Sequence, residues 1–284
     1  MSAKVIFFNL FNFFALFILI QSCAPASLKA ESVSKSLTNS PSELKTASVK
    51  TKLYCSPKNK QAMDNFRKGV KLAEKKEFKE AVKLYLKAIE IDPGFCEAMD
   101  NLGVIYQKAG KTDEAIYWHQ KSIDANFNDS SSHMNLAADF RLENRLRDAA
   151  DEYNVMKRID PDNPEGYFGL GSVYLTLGKN EEALQELKIA EKMYREKSSP
   201  YVTQARYSMG LAHFNLEDCA AAKSYLEPIY LEFENDPNMN YTLGVCYLRS
   251  NETEKGKIYL LKAKSQGMDS AENILEKIEN GEIK

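Results

Sequence analysis

A chain of 284 residues carrying 38 Lys and Arg against 40 Asp and Glu has a formal charge of −2, with the two signs interspersed. That balance excludes the clustered basic surface on which nucleic-acid binding depends. Proline is scarce, and glycine recurs at regular intervals, which fits helices joined by repeated turns and gives no sign of a sheet.

The N-terminus differs in kind from the rest. Met1 to Lys4 brings one positive charge, and residues 5–20 are then apolar except for Asn9 and Asn12. Such a run falls short of the ~20 residues of a membrane-spanning helix and has the length of a secretory apolar core. The next residues, Ile20-Gln21-Ser22-Cys23, resemble the bacterial lipobox. The resemblance implies that residues 1–22 are a signal peptide. Cleavage would precede Cys23, whose sulfur takes a diacylglycerol and whose new amino group is acylated. Several chains hold where one is marginal, because each buried CH₂ contributes ~0.8 kcal/mol. A plain signal peptide or a short signal anchor remains the alternative. Ala24 after the cysteine, where aspartate is absent, points to a lipid anchor in the outer membrane facing the periplasm.

Residues 23–60 are rich in Ser, Lys, Thr, Ala and Pro and lack apolar periodicity. They cannot bury enough surface to offset ordering entropy, and read as a tether reaching roughly 30–35 Å.

From residue 61 to 270 the chain repeats itself. Gly69, Gly103, Ala137, Gly171, Gly210 and Gly244 mark one slot; Ala81, Ala115, Ala149, Ala183, Ala222 and Gly256 mark another. Every step is 34 residues except that from Gly171 to Gly210, which is 39. Counting from seven residues before each glycine, the units are 62–95, 96–129, 130–163, 164–202, 203–236 and 237–270. Slot 11 carries Leu72, Tyr106, Phe140, Tyr174, His213 and Tyr247; slot 24 carries Tyr85, His119, Tyr153, Leu187, Leu226 and Leu260. Pro93 and Pro161 close their units at slot 32. Small residues at slots 8, 20 and 27 opposite large ones resemble the tetratricopeptide repeat. The resemblance implies an all-α solenoid of six helical hairpins, each with a helix A and a helix B.

The five extra residues, around 196–202, should lengthen the fourth unit or its link to the fifth. Ser270 is placed to cap a last helix over Ala271 to Glu279, whose Ile274, Leu275 and Ile278 cover the end of the stack, with Gly281 ending it. Residues 271–284 are thus a capping helix and tail.

Matches to enzyme motifs dissolve in this frame. Gly110-Lys111-Thr112 is a helix–helix turn, and Gly169 and Gly171 lie within one helix A. His119, His133 and His213 stand at packing slots and read as core histidines. No metal-ligand spacing and no cofactor motif is present, no segment is left for a catalytic domain, and no small-molecule substrate is implied. Export would place the cysteines in a disulfide-permissive compartment. Cys55 and Cys96 are expected to lie on one edge and to be able to pair, whereas Cys246 reads as packing.

If slots 4, 7, 8 and 11 of helix A pack inward, slots 5, 9 and 12 form a second stripe. In tetratricopeptide proteins that face lines a concave groove. Here it includes Arg141, Phe168, Leu175, Tyr207, Leu211, Phe214, Tyr241 and Leu248, an apolar trough in the last three units suited to an apolar or amphipathic segment of a protein partner. Partial burial between neighbouring helices is the competing reading. Asn101 and Asn135 share slot 6, where similar asparagines hold a peptide backbone. The clamp for acidic C-terminal tails is excluded, since Phe66 and Val70 fill its slots. The expected function is a non-enzymatic envelope scaffold. A lipobox, tether and six repeats are also similar in layout to the pilotin lipoproteins of type IV pili, and a self-associating structural lipoprotein is a further alternative.

Overall fold

The computed structural model describes residues 59–282. The expected signal peptide, Cys23, most of the tether and Cys55 lie outside the described residues. Six helical hairpins follow in order: α1 (Lys60–Glu74) with α2 (Phe78–Ile91), α3 (Cys96–Lys108) with α4 (Thr112–Ala125), α5 (Ser130–Leu142) with α6 (Leu146–Ile159), α7 (Pro164–Thr176) with α8 (Asn180–Glu196), α9 (Val202–Asn215) with α10 (Cys219–Leu226), and α11 (Pro237–Arg249) with α12 (Thr253–Ser265). A last helix, α13 (Asp269–Glu279), closes the stack, and no strand occurs among the described residues. None of these helices is long and apolar enough to cross a membrane. Each helix packs on its chain neighbours, and each helix A also touches the next helix A from α3 to α11.

Local chemistry fixes the boundaries. Four A helices start behind an Asn or Asp whose side chain accepts a hydrogen bond from an otherwise unpaired N–H: Asn59 from Gln61, Asp129 from Ser131, Asn163 from Glu165 and Asp236 from Asn238. Pro164 and Pro237 sit in the first turn, where the missing N–H costs nothing. The A helices end alike. Slot 15 has positive φ in all six units, at Lys76 (63°), Gly110 (69°), Asn144 (56°), Gly178 (72°), Glu217 (62°) and Asn251 (61°). Only glycine takes that conformation freely, with asparagine next.

Packing within a hairpin depends on a close approach at slot 8. A Cβ on Gly69 would lie 2.7 Å from the Tyr85 ring, on Gly103 2.6 Å from His119, and on Gly210 2.4 Å from Leu226. Each is a slot 8 glycine against the slot 24 side chain of its own unit. The third unit carries Ala137 there and shows the compensation: the Tyr153 ring lies against the next unit, where a Cβ on Gly169 would be only 2.2 Å away.

Three elements depart from the plain repeat, the second of them in the place expected. The α13 helix begins at Asp269 after Met268, with no side-chain cap, so Ser270 is inside the helix; Leu275 is buried and Ile274 and Ile278 half-buried against α12 as expected. The five extra residues go partly into α8, which has 17 residues where α6 has 14, and partly into the link before α9. The α10 helix is short, with 8 residues, and tightens into a 3₁₀ segment, Glu227–Glu232, because Pro228 has no N–H to donate. Cys246 is also more than packing. It forms a disulfide with Cys219, Cα to Cα 5.0 Å, joining the fifth unit to the sixth across 27 residues. A loop of that length corresponds to ~3.5 kcal/mol of stabilisation in the chain-entropy model.

Two substitutions test these constraints by denaturant unfolding. Gly169→Ala should destabilise by ~1–3 kcal/mol, because the Tyr153 ring cannot retreat without moving a helix. Lys76→Gly should stabilise by ~0.5–1 kcal/mol, relieving the left-handed residue. A neutral Gly169→Ala would refute the close approach.

Candidate binding groove

Slots 5, 9 and 12 run down one side of each A helix, and the neighbouring A helices bring them into lateral register. The Phe214 ring meets Tyr241 of the next unit edge-to-face at 6.2 Å, and Gln107 Nε2 donates to Asp139 Oδ1 of the next unit at 2.5 Å. The stripe is half-buried along most of its length: Phe168, Leu175, Leu211, Phe214 and Tyr241 each keep part of their surface open, and Arg141 is exposed. Asn101 and Asn135 are half-buried too, and their side-chain amides have no hydrogen-bond partner among the described residues.

Two expected groove residues leave the face. Tyr207 is 8% exposed, its ring stacked on Phe233 at 4.7 Å and 9°, and burial together with Asp236 pushes its hydroxyl well above the usual tyrosine range. The row of rings at slot 5, from Phe168 through Tyr207 to Tyr241, is therefore interrupted at its middle rung. The cause is Phe233, which ends the 3₁₀ segment and supplies a flat partner inside the stack. Leu248 is 9% exposed and packs with Leu260 and Leu275. The open apolar surface is thus narrower than the sequence pattern suggests, and Phe168, Leu175, Leu211, Phe214 and Tyr241 carry it.

Toward the second and third units the same side turns polar. Glu97 and Asp100 of α3 lie near Asp129, which caps α5. Burial first, and then Asp129 and Asp100, raises the Glu97 carboxyl to about 7; burial and Asp100 also raise Asp129. Beneath them, His119 is fully buried with Nδ1 3.2 Å from Asp100 Oδ1, and Asp100 Oδ2 accepts from Ser132 at 2.7 Å. His133 is buried between Glu152 (2.6 Å) and the Phe127 carbonyl (2.9 Å). His213 stacks on Tyr225 at 5.4 Å. All three histidines are packing residues, as their slots imply. Among the described residues no three His, Cys, Asp or Glu side chains are placed to hold a metal ion. A cleft between α8, α9 and α10 is lined by Arg195 and Arg206, and both turn their charge onto Glu191.

Three family models, each described as a tetratricopeptide repeat, match the chain over residues 65–95, 84–117 and 143–198. The chain is a tetratricopeptide repeat protein. It is similar to the anaphase-promoting complex subunit CDC16 of Saccharomyces cerevisiae, 25% identical over 168 residues that cover 57% of this chain and 19% of that protein. It thus spans about a fifth of that relative's length. Its fold resembles that of YrrB, described as a tetratricopeptide protein with an unusual peptide-binding site (TM-score 0.55, 19% identity, 68% of this chain and 97% of that one). It also resembles Pseudomonas aeruginosa pilF (TM-score 0.66, 14% identity, 76% and 97%). These structural likenesses concern the fold. As a tetratricopeptide stack, the chain is a protein-interaction scaffold, its contacts displayed on side chains that the hairpins hold in fixed register.

The Glu97 carboxyl gives this site a pH signature. Folding raises its pKa from 4.5 to about 7, so the folded chain keeps a proton that the unfolded chain has lost. Stability should therefore fall as pH rises through that window. Glu97→Gln should remove about 1 kcal/mol of this dependence, after allowing for solvent screening, when unfolding midpoints are compared at the two ends of the window. An unchanged slope would show that Glu97 titrates normally.

Proposed function

We propose that this protein is a non-enzymatic scaffold lipoprotein of the bacterial envelope that holds one protein partner, through an apolar or amphipathic segment, against the face made by its A helices. The observation that carries this reading is the half-buried stripe Phe168, Leu175, Leu211, Phe214 and Tyr241. These are large apolar side chains that the stack supports from behind without covering. A face already ordered by its own packing loses little entropy on binding, so even a short segment gains from it. Asn101 and Asn135, one repeat apart, offer paired donors and acceptors to a peptide backbone. The anchor rests on Ile20-Gln21-Ser22-Cys23 and the apolar run before it. No cofactor, metal or nucleic acid enters this mechanism, which is recognition alone. The layout of lipobox, linker and six repeats supports a second, narrower reading, an assembly factor of the pilotin kind for an outer-membrane complex.

Cross-linking of the lipidated full-length chain in its own membrane, followed by identification of the captured protein, tests the proposal. Phe168→Ala and Tyr241→Ala should each lower capture by about 10-fold or more while helicity is retained. Tyr207→Ala should instead lower thermal stability, since its ring is enclosed. Undiminished capture by both groove variants would move the site elsewhere, and capture only of further copies of this chain would make it a self-associating structural lipoprotein.

A further inference from the structure

The His119–Asp139 pair is out of pattern twice. Slot 24 holds Tyr or Leu in every other unit, and slot 10 holds Ile105, Val173, Ala212 and Cys246 in units two, four, five and six. In the third unit slot 10 is Asp139, and in the second slot 24 is His119; both side chains are 0% exposed. Two apolar positions on facing helices have become polar together. Asp139 Oδ1 accepts from Gln107, and His119 Nδ1 faces Asp100 Oδ1. The two remaining atoms, His119 Nε2 and Asp139 Oδ2, have no hydrogen-bond partner and lie 3.6 Å apart. With Nδ1–H donating to Asp100, Nε2 presents a lone pair, and an ionised Oδ2 would present another. Two lone pairs facing each other in a dry interior are costly. One proton between them satisfies both.

We propose that a single proton shared between His119 Nε2 and Asp139 Oδ2 joins the second repeat to the third, and that its loss on raising the pH loosens this joint of the stack. Whether it rests on oxygen or nitrogen, the proton count of the pair is the same, so the two groups titrate as one unit. Other charges around the pair are few. Asp100 comes from α3, with Ser132 and Gln107 as neutral donors, and Glu143 follows α5 and acts against ionisation. On the α6 side, Arg145 lies over the Phe140 ring and is paired with Asp148, and Glu152 is held by His133. From α7, Tyr174 packs against the same core with Lys179 over its ring. Burial raises the Asp139 carboxyl to about 6, partly opposed by His119 and Gln107. An unfolded histidine keeps a proton up to about 6.5, so the pair's effect on stability is read against a variant that cannot share one. Asp100 and Gln107 occupy groove slots 5 and 12, so the joint lies directly behind the polar part of the groove face.

The test uses the full chain. Asp139→Asn supplies the missing hydrogen permanently, since its Nδ2 can donate to Nε2 while its Oδ1 still accepts from Gln107. The melting temperature of this variant relative to the parent should rise by several degrees from about pH 4 to 7. The double variant His119→Leu with Asp139→Val restores the apolar pairing of slot 24 with slot 10 of the next unit that the other joints have. It should be more stable than the Asp139→Val single variant and, having lost both groups, should lack the pH dependence of the pair. In the unmodified chain, the Asp139 carboxyl carbon and the His119 ring nitrogens should shift together in one NMR titration step. A constant gap between Asp139→Asn and parent overturns the proposal, as does an Asp139 carboxyl that titrates without the imidazole, or a pair that does not titrate at all.

Discussion

Everything in this molecule depends on how closely helix A can approach helix B. A Cβ at slot 8 would stand 2.4–2.8 Å from the slot 24 side chain in the five units that have glycine there. That contact sets the hairpin, and the hairpin sets which sides of the A helices face the neighbouring unit and which stay open. The groove face is therefore a by-product of interior sterics, which is why its side chains hold fixed positions without any partner present.

The third unit shows how firmly the constraint is held. Ala137 replaces the glycine, and the space that Tyr153 needs is found one unit along, at Gly169. A small residue missing from one place reappears in another. Polar exchanges follow the same bookkeeping, as His119 and Asp139 show: neither suits its slot alone, and each makes the other tolerable.

Much of this was legible in the sequence. The 34-residue period, the glycine and alanine slots and the six hairpins follow from spacing alone, because the close approach admits few residue types. Helix starts at Cys96, Ser130, Pro164 and Pro237 coincide with the first slot of their units. What escaped is what depends on a single neighbour. Tyr207 reads as a groove residue by its slot, and only Phe233, 26 positions later in the chain, turns it inward. Cys246 reads as packing, although a signal for its bridge to Cys219 was present. Slot 17 of one unit and slot 10 of the next share a core cluster elsewhere, as with Phe78 and Ile105 or Leu146 and Val173, so two cysteines at those slots are neighbours by rule. The expected pairing of Cys55 with Cys96 involves a residue outside the described ones and stands as an expectation beside the Cys219–Cys246 bridge. Pro228 was visible, but its effect on α10 was not, since proline is tolerated near helix starts and disruptive within them.

The bridge between the fifth and sixth repeats holds the last two units of the stack together. A linear array frays from its ends, because terminal units have only one neighbour to hold them. Here the sixth unit is fastened to the fifth by a covalent bond and roofed by α13. Under heat or mechanical load the fifth and sixth units therefore part company only as far as that bond allows, and the apolar rungs they carry stay within reach of one another.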